Sequence, residues 1–246
     1  MIFYFGLLGL IIGSFLNVLV LRLSTGRTFS GRSACFSCNK ELSAFELLPV
    51  ISYMIQRGRC RTCSAHISWQ YPLVELLTAF LFGLIAWRYE DNLIIALYLC
   101  ILAAILIAIV VYDFRHKIIP DKLVYLFIVL SALTPIYFCQ TGDCIRFTQL
   151  LISFIPASTF GLLWLVSNGR WMGLGDAKLA LGMGLLLGSS GVFFASLIAF
   201  WTGALVGILL LLIRKGVTIK SEIPFAPFLV FGTFVQLFFP LTIFLF

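Results

Sequence analysis

The run NLIIALYLCILAAILIAIVVY, residues 92–112, carries no charged side chain and is almost entirely apolar, and Asp113 follows it directly. A run of this length is long enough to cross a bilayer as a helix, which takes about 20 residues. Apolar residues make up 61% of the chain and charged residues 11%, and the mean hydropathy is +1.09. These values exclude a soluble globular protein and indicate a bundle of membrane helices.

Similar apolar runs recur along the whole chain. We predict an all-α membrane protein with about eight transmembrane helices, at residues 2–21, 69–87, 92–112, 122–138, 147–166, 176–189, 191–213 and 225–245. The first run has no basic residue before it, so we expect a span and not a cleaved signal peptide. The sixth run has 14 residues, or about 21 Å, against about 30 Å of hydrocarbon. Such a short helix predicts that Asp176 lies slightly within the membrane.

The basic residues predict the orientation of these helices. With the N-terminus outside, only Arg88 and Arg146 of the 17 lysines and arginines fall in outward loops. Cytoplasmic loops carry such an excess of basic residues, so Asp113 and Asp176 are expected on the cytoplasmic side. The net charge of +7 then reflects topology and contact with anionic membrane lipid. We expect no nucleic-acid partner, because the basic residues are spread over several loops without an aromatic platform.

The one sizeable polar segment, residues 23–68, contains two C-x2-C pairs. They are Cys35 with Cys38 and Cys60 with Cys63, and 21 residues separate the pairs. Two such pairs are typical of a tetrathiolate zinc site, in which four cysteines leave no position open for water. We therefore predict a structural zinc, which supplies folding energy that a small loop cannot obtain from a core. The alternatives are two redox pairs, or thiols without a role.

These features divide the chain into three predicted parts. They are a first transmembrane helix at 1–22, a cytoplasmic tetracysteine loop domain at 23–68, and a membrane helical bundle at 69–246. Cys139 and Cys144 flank an outward loop, and the sequence leaves open whether they form a disulfide. Cys100 lies in the middle of a predicted helix, where it is expected to act as a small apolar filler.

Asp113 and Asp176 are the leading candidates for chemistry. Each lies at the edge of an apolar run, Asp176 within Gly173-Leu174-Gly175-Asp176-Ala177-Lys178. Ionisable groups at the edge of lipid are costly, which favours a functional role. Two carboxylates that meet share a proton, so that one activates water and the other donates a proton. The plainer interpretation is a helix-end charge in the interface, and Asp121 after Pro120 fits a first-turn acid of the next helix.

A series of short motifs in fixed order covers residues 10–180. They are Gly13-Ser14-Phe15-Leu16-Asn17-Val18, the paired C-x2-C motifs, Leu48-Pro49-Val50-Ile51-Ser52-Tyr53, Arg57-Gly58-Arg59-Cys60-Arg61-Thr62-Cys63, Ile67-Ser68-Trp69-Gln70-Tyr71-Pro72-Leu73-Val74-Glu75, Asp113 with Ile119-Pro120-Asp121, and Gly173-Leu174-Gly175-Asp176-Ala177-Lys178. In order and spacing the chain resembles the prepilin peptidases, also called type IV leader peptidases, of the tetracysteine type. The last three predicted helices match that family only in hydropathy.

The resemblance implies an aspartic endopeptidase of the bacterial inner membrane, multi-pass, with its active site on the cytoplasmic side. Such enzymes remove the basic leader from type IV prepilins and type II secretion pseudopilins after a Gly, just before the hydrophobic helix of the pilin. The family's catalytic pair maps onto Asp113 and Asp176. Tetracysteine members are often bifunctional and methylate the new N-terminal amine with S-adenosylmethionine.

Methylation rests on the resemblance alone, because the chain has no recognisable S-adenosylmethionine motif and its cofactor-binding residues stay unassigned. Leu47 stands where the family often has Asn, in the segment Phe45-Glu46-Leu47-Leu48-Pro49 of the loop associated with methyl transfer. Glu75, inside the second predicted helix, either hydrogen-bonds within the bundle to Asn17 or Ser14, or supports that second activity.

Other functions remain open at the level of sequence. One is a peptidase without methyltransferase activity. A second is a membrane thiol–disulfide carrier that uses the C-x2-C pairs, although those pairs are expected in the reducing cytoplasm. A third is a non-enzymatic transporter or assembly scaffold with a zinc-stabilised loop.

Overall fold

The computed structural model describes residues 1–25, 31, 33–135, 151–213 and 223–241. These residues form helices, turns and two isolated β-bridges. The α-helices among them are α1 Ile2–Thr25, α2 Ile51–Ile55, α3 Gln70–Arg88, α4 Leu93–His116, α5 Asp121–Ser131, α6 Ile155–Ser167, α7 Leu174–Ile213 and α8 Ala226–Phe238, and a 3₁₀ turn covers Ala44–Leu47. The predicted all-α fold is confirmed.

Four of the described helices, α1, α3, α4 and α7, are long and apolar enough to cross a membrane. The α6 and α8 helices are apolar but have only 13 residues each. The predicted spans 122–138 and 147–166 extend into residues outside the described part of the chain. The described residues therefore establish a membrane protein without establishing the predicted count of eight spans.

The chain divides into two compact units, Met1–Val111 and Tyr112–Phe246. In the first unit α1 packs along α3 at very short range. A Cβ atom at Gly13 would lie 2.7 Å from the Cα of Glu75, so only glycine permits this approach. The approach brings Asn17 to the start of α3, where its side-chain amide donates to the carbonyl of Tyr71 at 3.2 Å.

In the second unit α5, α6 and α8 all pack on α7. Two apolar side chains on α5 and α7, Phe127 and Met183, are fully buried in this core. A ring cluster of Phe160, Phe200 and Phe225 joins α6, α7 and the residue that precedes α8. The unit is therefore organised around α7, whose first turn carries Asp176.

The α7 helix reverses its direction at Gly188. This residue has φ 72° and ψ −174°, a conformation that essentially only glycine adopts. A straight helix would separate Asp176 from Gly203 by about 40 Å. Yet Asp176 interacts with Asp113, which is hydrogen-bonded to the first residue of α8, and a Cβ at Gly203 would lie 3.6 Å from the ring of Phe225, just before α8. The two arms of α7 therefore fold back toward each other, in agreement with the predicted break between residues 189 and 191.

Candidate active site and metal centre

Asp113 lies in the last turn of α4 and is buried, with 4% of its surface exposed. The backbone N–H of Ala226, the first residue of α8, donates a hydrogen bond to its carboxyl group. Among the described residues, its Oδ2 atom has no hydrogen-bond partner. One carboxyl oxygen of Asp113 is thus available to bind a proton donor.

Asp176 lies in the first turn of α7 and is also buried, with 9% exposed. Its carboxyl group accepts a hydrogen bond from the backbone N–H of Gly173, just before the helix. The charge of Asp113 acts on this carboxyl group, so the two acids lie near enough to interact electrostatically. The structure therefore brings together the two aspartates that the sequence singles out, from separate helices of one unit.

The glycine before Asp176 fixes how α7 meets the turn that follows α4. A Cβ at Gly175 would lie 2.8 Å from the Cβ of Ile119, which is shorter than real carbon contacts. Ile119 follows Lys117, whose φ of 54° ends α4 and whose N–H donates to the carbonyl of Asp113 at 2.7 Å. The glycine-rich motif thus packs directly on the turn that carries Asp113 at its start.

The side chain of Lys178, two residues after Asp176, contacts α5. Its ammonium group donates to Asp121 Oδ1 at 2.5 Å and lies 4.8 Å from the centre of the Tyr125 ring. Asp121 is the first residue of α5, with its side chain 65% exposed. This ion pair fastens α5 to α7, and the predicted structural role of Asp121 is consistent with that position.

The hydrogen bond from Ala226 is a feature that sequence reasoning missed. A backbone donor has no side-chain signature, and in the sequence the last helices are distinguished only as apolar runs. The available signal was the pair Pro224 and Pro227, which brackets the start of α8. Proline is favoured in the first turn of a helix, where the backbone N–H groups have no partner within the helix. Such a helix start is a source of donors for a carboxylate.

The second cluster belongs to the loop of the first unit. The sulfur atoms of Cys35, Cys38, Cys60 and Cys63 all lie within 4.8 Å of one another. The sulfurs of Cys35 and Cys63 are 3.8 Å apart. A tetrahedron with zinc–sulfur bonds of about 2.3 Å has an edge of about 3.8 Å, so the donor set and its spacing fit a metal ion.

The two C-x2-C pairs occupy equivalent turns, residues 33–42 and 58–67. Asn39 and Ser64 take matching left-handed conformations, with φ of 54° and 56°. The matching hydrogen bonds join Cys35 N–H to Lys40 O and Cys60 N–H to Ala65 O, both at 2.9 Å. The same local fold therefore presents each pair of thiols, and the cluster forms where the two turns face each other.

The backbone of the two turns also shifts the pKa values of the cysteine thiols. The backbone N–H groups of Cys63 and Thr62 point at the sulfur of Cys60 and lower its pKa to about 6. Cys35 has a lowered pKa for the same reason, from the N–H groups that follow it. Cys63 receives the N–H of Ala65, but burial and the neighbouring thiols together raise its pKa to about 11. Since the thiolate is the form that binds metal, turns that stabilise thiolates suit a metal site.

Cys139 and Cys144, whose pairing the sequence leaves open, lie outside the described residues.

Glu75 connects this loop to the helices. It is buried in α3, and its Oε2 accepts the backbone N–H of Val50 at 2.7 Å and a hydrogen bond from Ser14. Val50 has a φ of 59°, which is rare for a β-branched residue. Of the two predicted partners of Glu75, the structure brings Ser14 to it, whereas Asn17 bonds Tyr71.

Two protein-family models match the chain. The model for the Bacterial Peptidase A24 N-terminal domain matches residues 7–89, and that for the Type IV leader peptidase family matches residues 100–208. The chain is 31% identical to a protein of Pseudomonas aeruginosa over 94% of its own length and 88% of the relative's. It is also 31% identical to relatives from Neisseria gonorrhoeae, with 85% and 82% covered, and Aeromonas hydrophila, with 94% and 88% covered. All three are named prepilin leader peptidase/N-methyltransferase.

The chain belongs to the type IV leader peptidase family. It is therefore an enzyme of a peptidase family, in agreement with the resemblance found in the sequence. The N-terminal match of this leader peptidase contains the four clustered cysteines and Glu75, and the second match contains Asp113 and Asp176. No solved structure matches the chain.

Proposed function

We propose that this leader peptidase is an aspartic endopeptidase that removes the leader of prepilins and pseudopilins. The relatives' names support the substrate class. The observation that carries the mechanism is the electrostatic interaction between two buried carboxyl groups, Asp113 and Asp176, supplied by separate helices. A carboxyl pair at short range is the arrangement that aspartic peptidases use, because like charges so close favour a single shared proton.

In this proposal the ionised carboxylate removes a proton from water, which attacks the scissile carbonyl. The protonated partner donates a proton to the developing oxyanion or to the leaving amine. The N–H groups of Ala226 and Gly173 each hold one carboxyl group in place. The Oδ2 atom of Asp113, which has no partner among the described residues, leaves room for a hydrogen bond to the water or to the shared proton. The two roles are not assigned to individual aspartates, because a coupled pair titrates as a unit.

We further propose that cleavage follows a Gly at the cytoplasmic membrane face. With the N-terminus outside, that face carries most of the chain's lysines and arginines. A basic leader gains no long-range attraction from such a surface, so the apolar helix of the substrate supplies most of the binding by lateral approach through the bilayer. Membrane lipid is then a shared environment for enzyme and substrate.

We assign the second activity, N-methylation of the new N-terminal residue with S-adenosylmethionine, to the part of the chain that carries the tetracysteine loop. The names of the relatives include this activity. Cys35, Cys38, Cys60 and Cys63 would hold a zinc ion that serves only structure, since four thiolates fill its coordination sphere. The division into a helix at 1–22, a loop domain at 23–68 and a peptidase bundle at 69–246 is part of the proposal.

The test uses purified protein in lipid with a prepilin that carries a Gly–Phe junction and with S-adenosylmethionine. The mass of the product is measured for the wild type, Asp113→Asn and Asp176→Asn. We expect loss of the leader in the wild type and a fall of at least about 10³-fold in rate for each variant, as for the loss of an acid–base group. An added methyl mass in the wild-type product would establish the second activity.

Asp91→Asn is the matched control, because Asp91 is an exposed residue between α3 and α4 and undergoes the same chemical change. It should cleave at the wild-type rate. Cleavage that survives both Asp113→Asn and Asp176→Asn would overturn the aspartic mechanism. A wild-type protein that binds the prepilin without cutting it would favour the scaffold or transporter alternative.

A further inference from the structure

The tetracysteine loop presents an apolar surface that its own fold leaves uncovered. The surface consists of exposed side chains in and around the 3₁₀ turn and α2, namely Phe45, Leu47, Leu48, Ile51, Met54 and Ile55. Phe45 is 76% exposed and Met54 is 72% exposed. A contiguous patch of large apolar side chains on a polar loop marks a contact with a membrane or another molecule. We call residues 45–55 the apolar segment.

The position of this segment along α3 identifies what it contacts. The N–H of Val50 donates to Glu75 Oε2 at 2.7 Å. Glu75 lies five residues into α3, or about 7 Å along its axis, and helical side chains lean back toward the N-terminus. The 19 residues of α3 extend about 28 Å, close to the roughly 30 Å of hydrocarbon, so the helix has no turn to spare outside the bilayer. Val50 is therefore held beside the first turns of a membrane-spanning helix.

Ring packing fixes which side of α2 faces the protein. The rings of Tyr53 and Trp69 lie 5.2 Å apart, so Tyr53 faces the start of α3. Ile51, Met54 and Ile55 are exposed and face away from that contact. Trp69 itself is 76% exposed, and tryptophan is enriched at the level of lipid headgroups. The outward side of α2 thus continues the lipid-facing surface of α3 at its headgroup end.

Charge completes the pattern of an interfacial segment. Arg57 and Arg59 follow α2 directly, and both are exposed. Segments that lie in a bilayer interface combine an apolar side with basic residues, which meet the phosphates of lipid headgroups. A surface that binds another protein could lie at any distance from the bilayer, whereas this segment lies at the depth where α3 enters it.

We propose that the apolar segment is a membrane-interface anchor whose partner is phospholipid. Ile51, Met54 and Ile55 embed between headgroups and acyl chains, on the side of the bilayer where α3 begins. The segment fastens the tetracysteine loop to the membrane surface through α2 as well as through α1 and α3. This surface is distinct from the carboxylate pair and is independent of the proposed peptidase mechanism.

The test measures the depth of the segment in the full-length protein in phospholipid vesicles. A genetically encoded fluorescent amino acid replaces Met54 in one protein, Ile55 in a second and the exposed Glu41 in a third, which leaves the cysteines unchanged. For each protein, the fluorescence is measured with two quenchers: lipids brominated on the acyl chain near the headgroup, and iodide in the aqueous phase. Thermal unfolding of the three proteins checks that each has kept its fold.

We expect bromolipid quenching at position 54 or 55 to exceed that at position 41 by about threefold or more, and iodide quenching to follow the opposite order, because an interfacial segment is buried about 5–10 Å in the bilayer. Equal quenching at all three positions, or strong iodide quenching at 54 and 55, would overturn the proposal. Protection from iodide without bromolipid quenching would also overturn it, since a second copy of the chain or another protein would then cover the segment.

Discussion

Gly175 shows how a single missing side chain sets the geometry of the carboxylate pair. A Cβ at this position would lie 2.8 Å from Ile119, in the turn that follows Asp113. We predict that Gly175→Ala pushes this turn away, destabilises the fold by about 1–3 kcal/mol and slows cleavage by about tenfold or more, because small displacements of reacting groups are costly. Thermal unfolding and the cleavage rate measure the two effects.

Gly161→Ala is the matched control, because a Cβ at Gly161 meets no atom within 4 Å. It should leave the cleavage rate unchanged and raise helix stability slightly, by up to about 1 kcal/mol. If Gly175→Ala behaves like Gly161→Ala, the close contact with Ile119 does not govern the site.

Glu75 provides a second prediction at the level of one side chain. Glu75→Gln keeps an acceptor for the N–H of Val50, whereas Glu75→Ala leaves that partly buried donor without a partner, at a cost of about 1 kcal/mol. We therefore predict that amide exchange at Val50 and in α2 accelerates by about tenfold or more in the alanine variant and changes little in the glutamine variant. Equal acceleration in both variants would mean that the charge of Glu75, and not its role as an acceptor, orders the loop.

Single residues also show the limit of what sequence patterns reveal. Asp113 and Asp176 stand out because a charge beside a long apolar run is costly and therefore visible. The N–H of Ala226, which binds Asp113, belongs to the backbone, and any residue type other than proline supplies one. For the same reason the sequence indicates only one of the two donors to Glu75, since the second donor is the backbone of Val50.

At the level of elements, the two cysteine turns are predicted to fold around one metal ion. Cys35→Ser removes a ligand whose sulfur lies 3.8 Å from that of Cys63. We predict that zinc content falls from about one ion per chain to well below that value, and that a protease then cuts within 33–68, because the metal supplies most of the loop's folding energy. Elemental analysis and limited proteolysis measure these effects.

Cys100→Ala is the matched control, because Cys100 is buried in α4 away from the cluster. It should keep the wild-type zinc content. A Cys35→Ser protein with unaltered metal content would contradict the tetrathiolate site and favour the thiol–disulfide alternative.

The reversal of α7 depends on backbone conformation at one glycine. Space is not limiting at Gly188, since a Cβ there meets no atom within 4 Å, but its φ of 72° strains any other residue. We predict that Gly188→Ala costs about 1–3 kcal/mol and lowers the temperature of thermal unfolding, while Gly161→Ala does not. An unchanged unfolding temperature would show that the two arms of α7 can be joined without this conformation.

For the whole molecule, hydropathy predicted the all-α class, because runs near 20 apolar residues leave few alternatives. The break in α7 at Gly188 agrees with the two apolar runs predicted there, 176–189 and 191–213. The sequence did not predict that α5, α6 and α8 all pack on α7. Helices that are apolar on every side carry little information about which face meets a neighbour. The sequence motifs around Asp113 and Asp176, and not the periodicity of apolar residues, identify the carboxylate pair.

The orientation in the membrane is the last prediction, and it concerns the whole chain. Asp91 precedes α4 and Lys122 follows it, so the 24 residues of α4 separate them, a length of about 36 Å that crosses the bilayer. The bias of basic residues places Asp91 outside and Lys122 in the cytoplasm. In right-side-out vesicles, a membrane-impermeant maleimide should label Asp91→Cys at once and Lys122→Cys only after permeabilisation, with the wild type as the background for native cysteines. The reverse order of labelling would invert the topology and move the proposed active site to the outer face, where a cytoplasmic leader could not reach it.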